Sequence, residues 1–202
     1  PEYIYIVPSI TTYYDKTSTT VSGSQIESDI RATATTFSTN NLERFGNKLR
    51  YSRFTRSLDN ITTGSILNND VTISLEKRFV PNINKSERLL LNFNNKIRKG
   101  TLSSTEFTYK SFPAYLDDDS LGNVNIYRYN DAKVKTNIIT NAGTVDYNTG
   151  QVEINNFAPS AYADTQLKVS ITPDTFDVSP VREQILLMDS ASAIITIVSE
   201  TT

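Results

Sequence analysis

Short runs of alternating apolar and polar residues fill the second half of the chain, and they constrain its fold more than any other feature. From about residue 86 these runs cover residues 89–93, 107–109, 124–129, 134–139, 145–154, 167–172 and 193–198. Within 145–154, Asn148, Thr149 and Gly150 separate two alternating segments, and residues that tolerate positive φ predict a tight β-hairpin there. Repeated short strands with turns between them are typical of a mostly antiparallel β-sandwich or barrel-like domain.

The composition also favours strands. The apolar part leans to Ile (19 residues) and Val (12), and β-branched side chains suit a pleated, half-buried surface better than a helix. Thr, Ser and Asn contribute 66 of the 202 residues, which indicates polar loops and surfaces. With only 7 Gly and 7 Pro, the chain is not expected to be disordered or collagen-like.

Residues 1–85 show a different pattern. A buried strand is predicted over 3–10, ending near Pro8. A helix is predicted to start at the capping box formed by Ser24 and Glu27, with one face made by residues 26, 30, 34, 37 and 45, and to stop at Gly46.

A second helix follows, because Tyr51, Phe54, Leu58 and Ile61 recur at helical spacing. The cluster at 68–70 then breaks the pattern before a strand over 71–80. The sequence therefore predicts an α+β chain in two domains. Residues 1–85 form a strand-helix-helix-strand unit, and residues 86–202 form the β-rich domain.

The absence of two residue types narrows the range of functions that the chain can have. The chain has no Cys and no His, which excludes Cys or His zinc sites, disulfides, Cys nucleophiles and imidazole-dependent triads. The formal net charge of -2 gives no electrostatic case for nucleic acid or an anionic membrane, and no apolar run is long enough to span a bilayer. We predict no catalytic residues, no cofactor and no metal, and therefore no enzymatic activity.

The acidic triplet Asp117, Asp118 and Asp119 resembles the start of a calcium loop. A calcium loop needs an oxygen ligand at its fifth position and a bidentate carboxylate at its twelfth. Those positions hold Leu121 and Arg128. The pattern therefore favours an acidic surface turn over a bound cation.

Five cations occur within 13 residues: Arg44, Lys48, Arg50, Arg53 and Arg56. Such a row can contact phosphates, but the neighbouring Tyr51 and Phe54 lie on the predicted apolar face and are not free to stack on bases. A solvated helix face, salt-bridged to a partner protein, is the favoured interpretation.

Paired carboxylates could run glycoside hydrolysis, and Glu106, Asp117, Asp146 and Glu153 are candidates. No local pattern singles out a pair among the 22 acidic residues, so a carboxylate glycosidase is the weakest of the alternatives.

Three stretches in order resemble the large wedge subunit of T4-like contractile phage baseplates, which is itself similar to the wider baseplate-J group. They are residues 41–46 leading to 50–52, residues 143–150, and residues 171–174 continuing through 177–185. The resemblance spans about residues 1–190. It implies the C-terminal part of such a subunit, in agreement with the start at Pro1 inside a strand-like run.

The resemblance implies a structural role with no catalytic residues to carry over. Wedge subunits of this kind pair with a second copy, join other wedge proteins, and link wedges into a ring around the hub that holds the sheath until it is triggered. The protein is then expected in the virion tail baseplate, assembled in the host cytoplasm. Arg50, Arg53, Arg56 and residues 180–184 are the predicted contact residues.

A second function class stays open from the residues alone. A carbohydrate-binding or adhesive β module of a tail fibre or surface protein would use exposed aromatic rings. Trp is absent, but 11 Tyr residues could take its place.

Overall fold

The computed structural model describes residues 2–201 as a mostly β chain with two helices, which confirms the α+β prediction at that level. The elements in chain order are β1 Glu2–Asp15, α1 Gly23–Asn41, α2 Tyr51–Asp59, β2 Ile66–Phe79, β3 Glu87–Asn92, β4 Ser103–Ser104, β5 Phe107–Tyr109, β6 Phe112–Asp118, β7 Asn123–Tyr129, β8 Lys135–Asp146, β9 Gln151–Phe157, β10 Ala161–Tyr162, β11 Leu167–Ile171, β12 Gln184–Met188 and β13 Ile194–Glu200. Neither described helix is long and apolar enough to cross a membrane.

The chain divides into two compact units. Unit 1 combines residues 1–74 with residues 175–202, and unit 2 contains residues 75–174. The C-terminal strands therefore return to the unit that holds both helices. The prediction of two independent domains that meet near residue 85 stays a prediction.

In unit 1, β1 lies between β2 on one side and two successive parallel partners on the other. The first, β12, pairs with Glu2–Ile6, and the second, β13, pairs with Ser9–Asp15. The prediction that this strand ends near Pro8 is wrong. Pro8 lies between the segment of β1 that pairs with β12 and the segment that pairs with β13. Neither of these two pairings therefore needs the backbone N–H that proline lacks.

Helix α1 begins two residues earlier than predicted. The Ser22 side chain accepts a hydrogen bond from the backbone N–H of Gln25, at 3.2 Å, and so caps the helix in place of Ser24. The predicted apolar face is confirmed through Phe37, because residues 26, 30, 34 and 37 are all buried. Phe37 packs against Phe54 of α2, with ring centroids 5.2 Å apart.

The predicted end of this helix is wrong. The helix stops at Asn41, whose side-chain amide donates to the Phe37 carbonyl at 3.0 Å and so bonds back to the last turn. Gly46 lies in the following loop with a φ of +79°. Phe45 is 58% exposed and is not part of the buried face.

Strand β2 starts at Ile66 and runs through the Asn68, Asn69 and Asp70 cluster that was expected to interrupt it. Side-chain hydrogen bonds stabilise these polar residues in the strand: Thr12 donates to Asn69 at 2.7 Å, and Asn69 donates to Asp59 at 3.0 Å. The predicted core alternation is confirmed, because Val71, Ile73 and Leu75 are all buried.

Unit 2 is built from antiparallel strand pairs. Their order is the C-terminal part of β2, then β11, β4, β6, β7, β8, β9 and β3, while β5 pairs with both β6 and β10. The predicted hairpin is confirmed, since Val145 lies opposite Val152 and Asp146 opposite Gln151. Gly150 has a φ of +78°, and a Cβ there would lie 2.2 Å from the Asn95 carbonyl oxygen, so the turn requires glycine.

Candidate protein–protein interfaces

The five clustered basic side chains all lie at the surface, but they do not form one row along a helix. Helix α2 begins at Tyr51, so Arg44, Lys48 and Arg50 precede it. Only Arg53 and Arg56, which we call the basic row, project from the helix itself. Among the described residues, neither guanidinium of the basic row takes part in an ion pair. Two unneutralised arginines are therefore available to an external partner.

Arg50 has a structural role instead. Its guanidinium contacts one carboxylate oxygen of Asp177 at 3.2 Å, while the other oxygen accepts the backbone N–H of Tyr51 at 2.8 Å. The carboxylate thus satisfies a free donor at the helix start, where the helix dipole also favours negative charge. Residue 177 comes from the C-terminal part of the chain, so this contact joins distant segments of unit 1.

The aromatic residues beside the basic row are turned away from solvent. Phe54 is fully buried, and Tyr51 is half-buried with its hydroxyl donating to the Val71 carbonyl at 2.6 Å. Burial, reinforced by the charge of Asp70, raises the pKa of Tyr51. The apolar interpretation of these aromatics is confirmed, and they offer no stacking platform beside the arginines.

A shallow groove accompanies the predicted contact segment 180–184. It encloses about 720 Å³ and is lined by Glu2, Phe45, Arg182 and Glu183. Phe45 supplies an exposed apolar surface to the groove. Val181, which precedes Arg182 in the chain, is 46% exposed. Phe and Arg are enriched in protein interfaces, so Phe45 and Arg182 are the lining residues of this groove that favour a protein contact.

The acidic triplet separates into three different environments. Asp118 is 7% exposed and accepts backbone N–H bonds from Gly100 at 2.7 Å and Leu102 at 2.8 Å. It also accepts the Tyr147 hydroxyl at 2.6 Å. Burial, followed by this hydrogen bond, raises the pKa of Tyr147. Asp118 therefore organises the loops around it and has little capacity left for a ligand.

The two neighbouring acids are also engaged. Asp119 accepts bonds from the backbone and side chain of Asn123, and these lower its pKa, the side-chain amide having the largest effect. Asp117 contacts the Lys135 ammonium. Across residues 2–201, no group of three or more acidic side chains is arranged to hold a metal ion. The geometry favours the acidic turn over a calcium loop, while the absence of a metal site stays a prediction.

Asp117 and Lys135 also line a polar groove in unit 2, which we call the acidic groove. It encloses about 660 Å³ and is bounded by Gly100, Asp117, Asp118, Asp119, Ser120, Asn125, Lys135 and Asn137. Three of its eight lining residues are aspartates and one is a lysine. An excess of negative charge in a concave surface attracts cationic groups.

Three tyrosines, here called the tyrosine cluster, adjoin the groove through Lys135. Tyr115 and Tyr127 are cross-strand partners, and Tyr129 contacts both, with centroid distances between 5.6 and 6.0 Å. The Lys135 ammonium lies 4.2 Å from the centre of the Tyr127 ring. This face of the sheet therefore already holds one cation between an aromatic ring and a carboxylate.

Two members of the tyrosine cluster, Tyr115 and Tyr127, stay protonated well into the alkaline range. A hydrogen bond donated to Glu106, at 2.5 Å, and then burial raise the pKa of Tyr115 to about 12. Burial and then the neighbouring Tyr129 raise the pKa of Tyr127 to about 12. At neutral pH these rings present hydroxyl donors and uncharged faces.

The four candidate glycosidase carboxylates each have a local partner. Glu106 accepts the Tyr115 hydroxyl, and Asp117 contacts Lys135. Glu153 forms two bonds with the Arg88 guanidinium, at 2.7 and 2.8 Å. In the hairpin turn, the Thr149 side chain and then the backbone N–H groups of Thr149 and Asn148 lower the pKa of Asp146. The Arg88 contact lowers the pKa of Glu153, as the turn contacts lower that of Asp146, whereas a general acid needs a raised pKa.

Sequence reasoning singled out Arg182, Glu183 and the acidic triplet, but it missed Phe45 in the first groove and the tyrosine cluster beside the second. Phe45 was assigned to the helix face because it continues the helical spacing, and only the early helix end exposes it. The tyrosine cluster joins residues of β6 and β7. The register between these two strands cannot be predicted from the sequence of either strand alone. The Tyr-rich alternation in 127–129 was the one local signal for it.

The comparison with known families gives one match. Residues 2–78 match the family model described as "Baseplate structural protein gp6, C-terminal domain III". The match supports a phage baseplate wedge protein. The matched segment runs from β1 into β2 and includes α1, α2 and the basic row. Comparison with the curated proteins found no match.

The match covers less than half of the chain, and over that segment it supports the coarser part of the sequence interpretation, a structural protein of the virion baseplate. The matched segment contains residues 41–46 and 50–52, one of the three stretches on which the resemblance rested.

Proposed function

We propose that this chain is a structural component of a contractile-tail baseplate, related to the baseplate-J group, and that it joins wedges into a ring around the hub. The observation that carries the proposal is the match over residues 2–78 to a baseplate structural family. That segment includes the basic row and Phe45, so the matched part of the chain also presents side chains suited to protein contact.

The partners we propose are a second copy of this chain within a wedge, copies in neighbouring wedges, and other wedge proteins. Exposed Arg and aromatic residues support this, because these residue types dominate the binding energy of protein interfaces. The basic row supplies unpaired arginines, and the groove at Phe45 and Arg182 supplies an apolar anchor beside charges. Neither nucleic acid nor a membrane is a proposed partner.

The proposed mechanism is mechanical. Contacts between copies hold one ring geometry that retains the sheath, and a change in those contacts releases it. Contacts based on exposed charges suit a switch, since each contributes little on its own and can be exchanged. Assembly in the reducing cytoplasm of the host is consistent with a chain that contains no cysteine.

Co-assembly with the other wedge proteins of the same phage tests this proposal. We expect the wild-type chain, within its full-length protein, to co-sediment with them on a gradient. The double variant Arg53→Ala and Arg56→Ala should weaken this assembly. The matched control is Lys16→Ala with Lys133→Ala, which removes the same charge from exposed lysines elsewhere.

A wild-type protein that enters no wedge complex would contradict the proposed function. If the complex forms but the arginine double variant assembles and self-associates like wild type, α2 is not the contact surface. The same gradient with Phe45→Ala then tests the groove at residues 180–184.

A further inference from the structure

The acidic groove and the tyrosine cluster form one surface in unit 2 that neither the sequence interpretation nor the family match assigns. The groove and cluster meet at Lys135, which contacts Asp117 and lies over Tyr127. Glu106 extends the surface by accepting the Tyr115 hydroxyl. The surface therefore combines several carboxylates with aromatic rings and contains one cation of its own.

This combination matches the chemistry of an arginine side chain. A guanidinium binds carboxylates through a planar set of donors and stacks on aromatic faces, and it does both better than an ammonium. Tyr129 is 51% exposed and Asp119 is exposed, so one ring and one carboxylate are open to an incoming group. The Lys135 ammonium already demonstrates that a cation is held here by a ring and a carboxylate together.

The same chain carries the complementary surface. Arg53 and Arg56 are exposed, and within the described part of the chain they have no acidic partner. Their three-residue spacing on α2 places both guanidinium groups toward one side of the helix. The two surfaces are opposite in charge, and in the acidic groove one carboxylate oxygen of Asp117, Oδ1, has no hydrogen-bond partner among residues 2–201.

We infer that the basic row of one copy docks into the acidic groove and tyrosine cluster of a second copy. The inference rests on the proposed function and names the surfaces that join the copies. Because the two surfaces differ, the contact is head-to-tail, and such contacts close into rings when the rotation between copies allows it. Contacts that propagate from copy to copy in this way can build a ring around a hub.

Charge reversal on each surface tests the inference by sedimentation equilibrium at low salt. One variant carries Arg53→Glu and Arg56→Glu. The other carries Glu106→Lys and Asp119→Lys. Wild type should self-associate and lose affinity as salt is raised, because screening weakens exposed charge pairs. Each variant alone should bind itself at least tenfold more weakly than wild type.

An equimolar mixture of the two variants should recover association, since it restores opposite charges at every contact. Lys16→Glu with Lys96→Glu, two exposed lysines outside both surfaces, is the matched control and should behave like wild type. Circular dichroism establishes that each variant is folded. Tyr129→Ala, which removes only a half-exposed ring, should also weaken self-association and provides a second test if the double lysine variant misfolds.

A wild-type chain that stays monomeric at low salt would overturn the inference. Two weakened variants that fail to recover when mixed would overturn it as well, since the surfaces would then contact something other than each other. If wedge assembly proceeds normally while self-association is absent, the head-to-tail contact is wrong and the structural role in the baseplate stands. Binding of saccharides at the tyrosine cluster in place of the second copy would likewise overturn it.

Discussion

Asp118 gives the most direct test of how unit 2 is held together. Replacing it with alanine removes the acceptor for the Gly100 and Leu102 N–H groups and for the Tyr147 hydroxyl. Leu102 is 3% exposed, so its N–H would be left without water and would cost about 1–3 kcal/mol. The two less buried donors add about 1 kcal/mol each. We expect a total loss of about 4 kcal/mol.

That loss would be large in a urea titration or a thermal melt. For a chain of this size, 4 kcal/mol corresponds to a decrease in Tm of about 8–16 °C. Tyr147→Phe removes one donor only and should cost about 1 kcal/mol, the contribution assigned above to this hydroxyl. The double variant should cost less than the sum of the single ones, because both lose the same hydrogen bond.

Asp119→Ala is the matched control, since it removes an adjacent carboxylate that is exposed and binds only its own turn. It should shift the urea midpoint less than Asp118→Ala does. An Asp118→Ala protein within about 1 kcal/mol of wild type would refute the reasoning, because it would mean that the stranded donors find other acceptors at little cost.

Three further predictions concern the backbone, a helix cap and alkaline pH. Gly143→Ala would place a Cβ 1.9 Å from the Glu153 carbonyl oxygen, so we expect marked destabilisation of unit 2 in urea, and an unchanged midpoint would contradict the β8–β9 register. Asp177→Ala removes the acceptor at the start of α2 and should cost about 1 kcal/mol in the unfolding of unit 1, whereas no loss would mean that the cap contributes nothing. The pKa of Tyr115 is about 12 in the folded protein against about 10 when unfolded, so its contribution to stability is complete below pH 10 and is lost as pH rises toward 12. Thermal melts across that range should fall less steeply for Tyr115→Phe, and equal slopes would show that the bond to Glu106 is not formed in solution.

Local patterns predicted the elements that depend on neighbouring residues. The hairpin at 145–154 follows from a turn that tolerates positive φ between two alternating segments, and both strands and their register appear as expected. The buried faces of both helices follow from helical spacing, and Ile26, Phe54 and Leu58 are all fully buried. Such signals are readable because the contacts they encode lie within a few residues.

The candidate interfaces were only partly predictable. Charge clustering identified Arg53 and Arg56, but the sequence did not distinguish them from Arg50, which is paired with a residue far along the chain. Residues 117–119 are three consecutive aspartates with different roles. Only the structure shows that Asp118 is the buried one.

The sequence alone determined that the chain is rich in strands, contains two amphipathic helices and lacks the groups needed for most catalysis. The tertiary structure decided how the distant segments combine: β12 and β13 pair in parallel with β1, and residues of β6 and β7 build the tyrosine cluster. The physical reason is the range of the interactions. Periodicity and turn chemistry act over a few residues, whereas strand partners and the burial of a given carboxylate depend on which remote backbone reaches it.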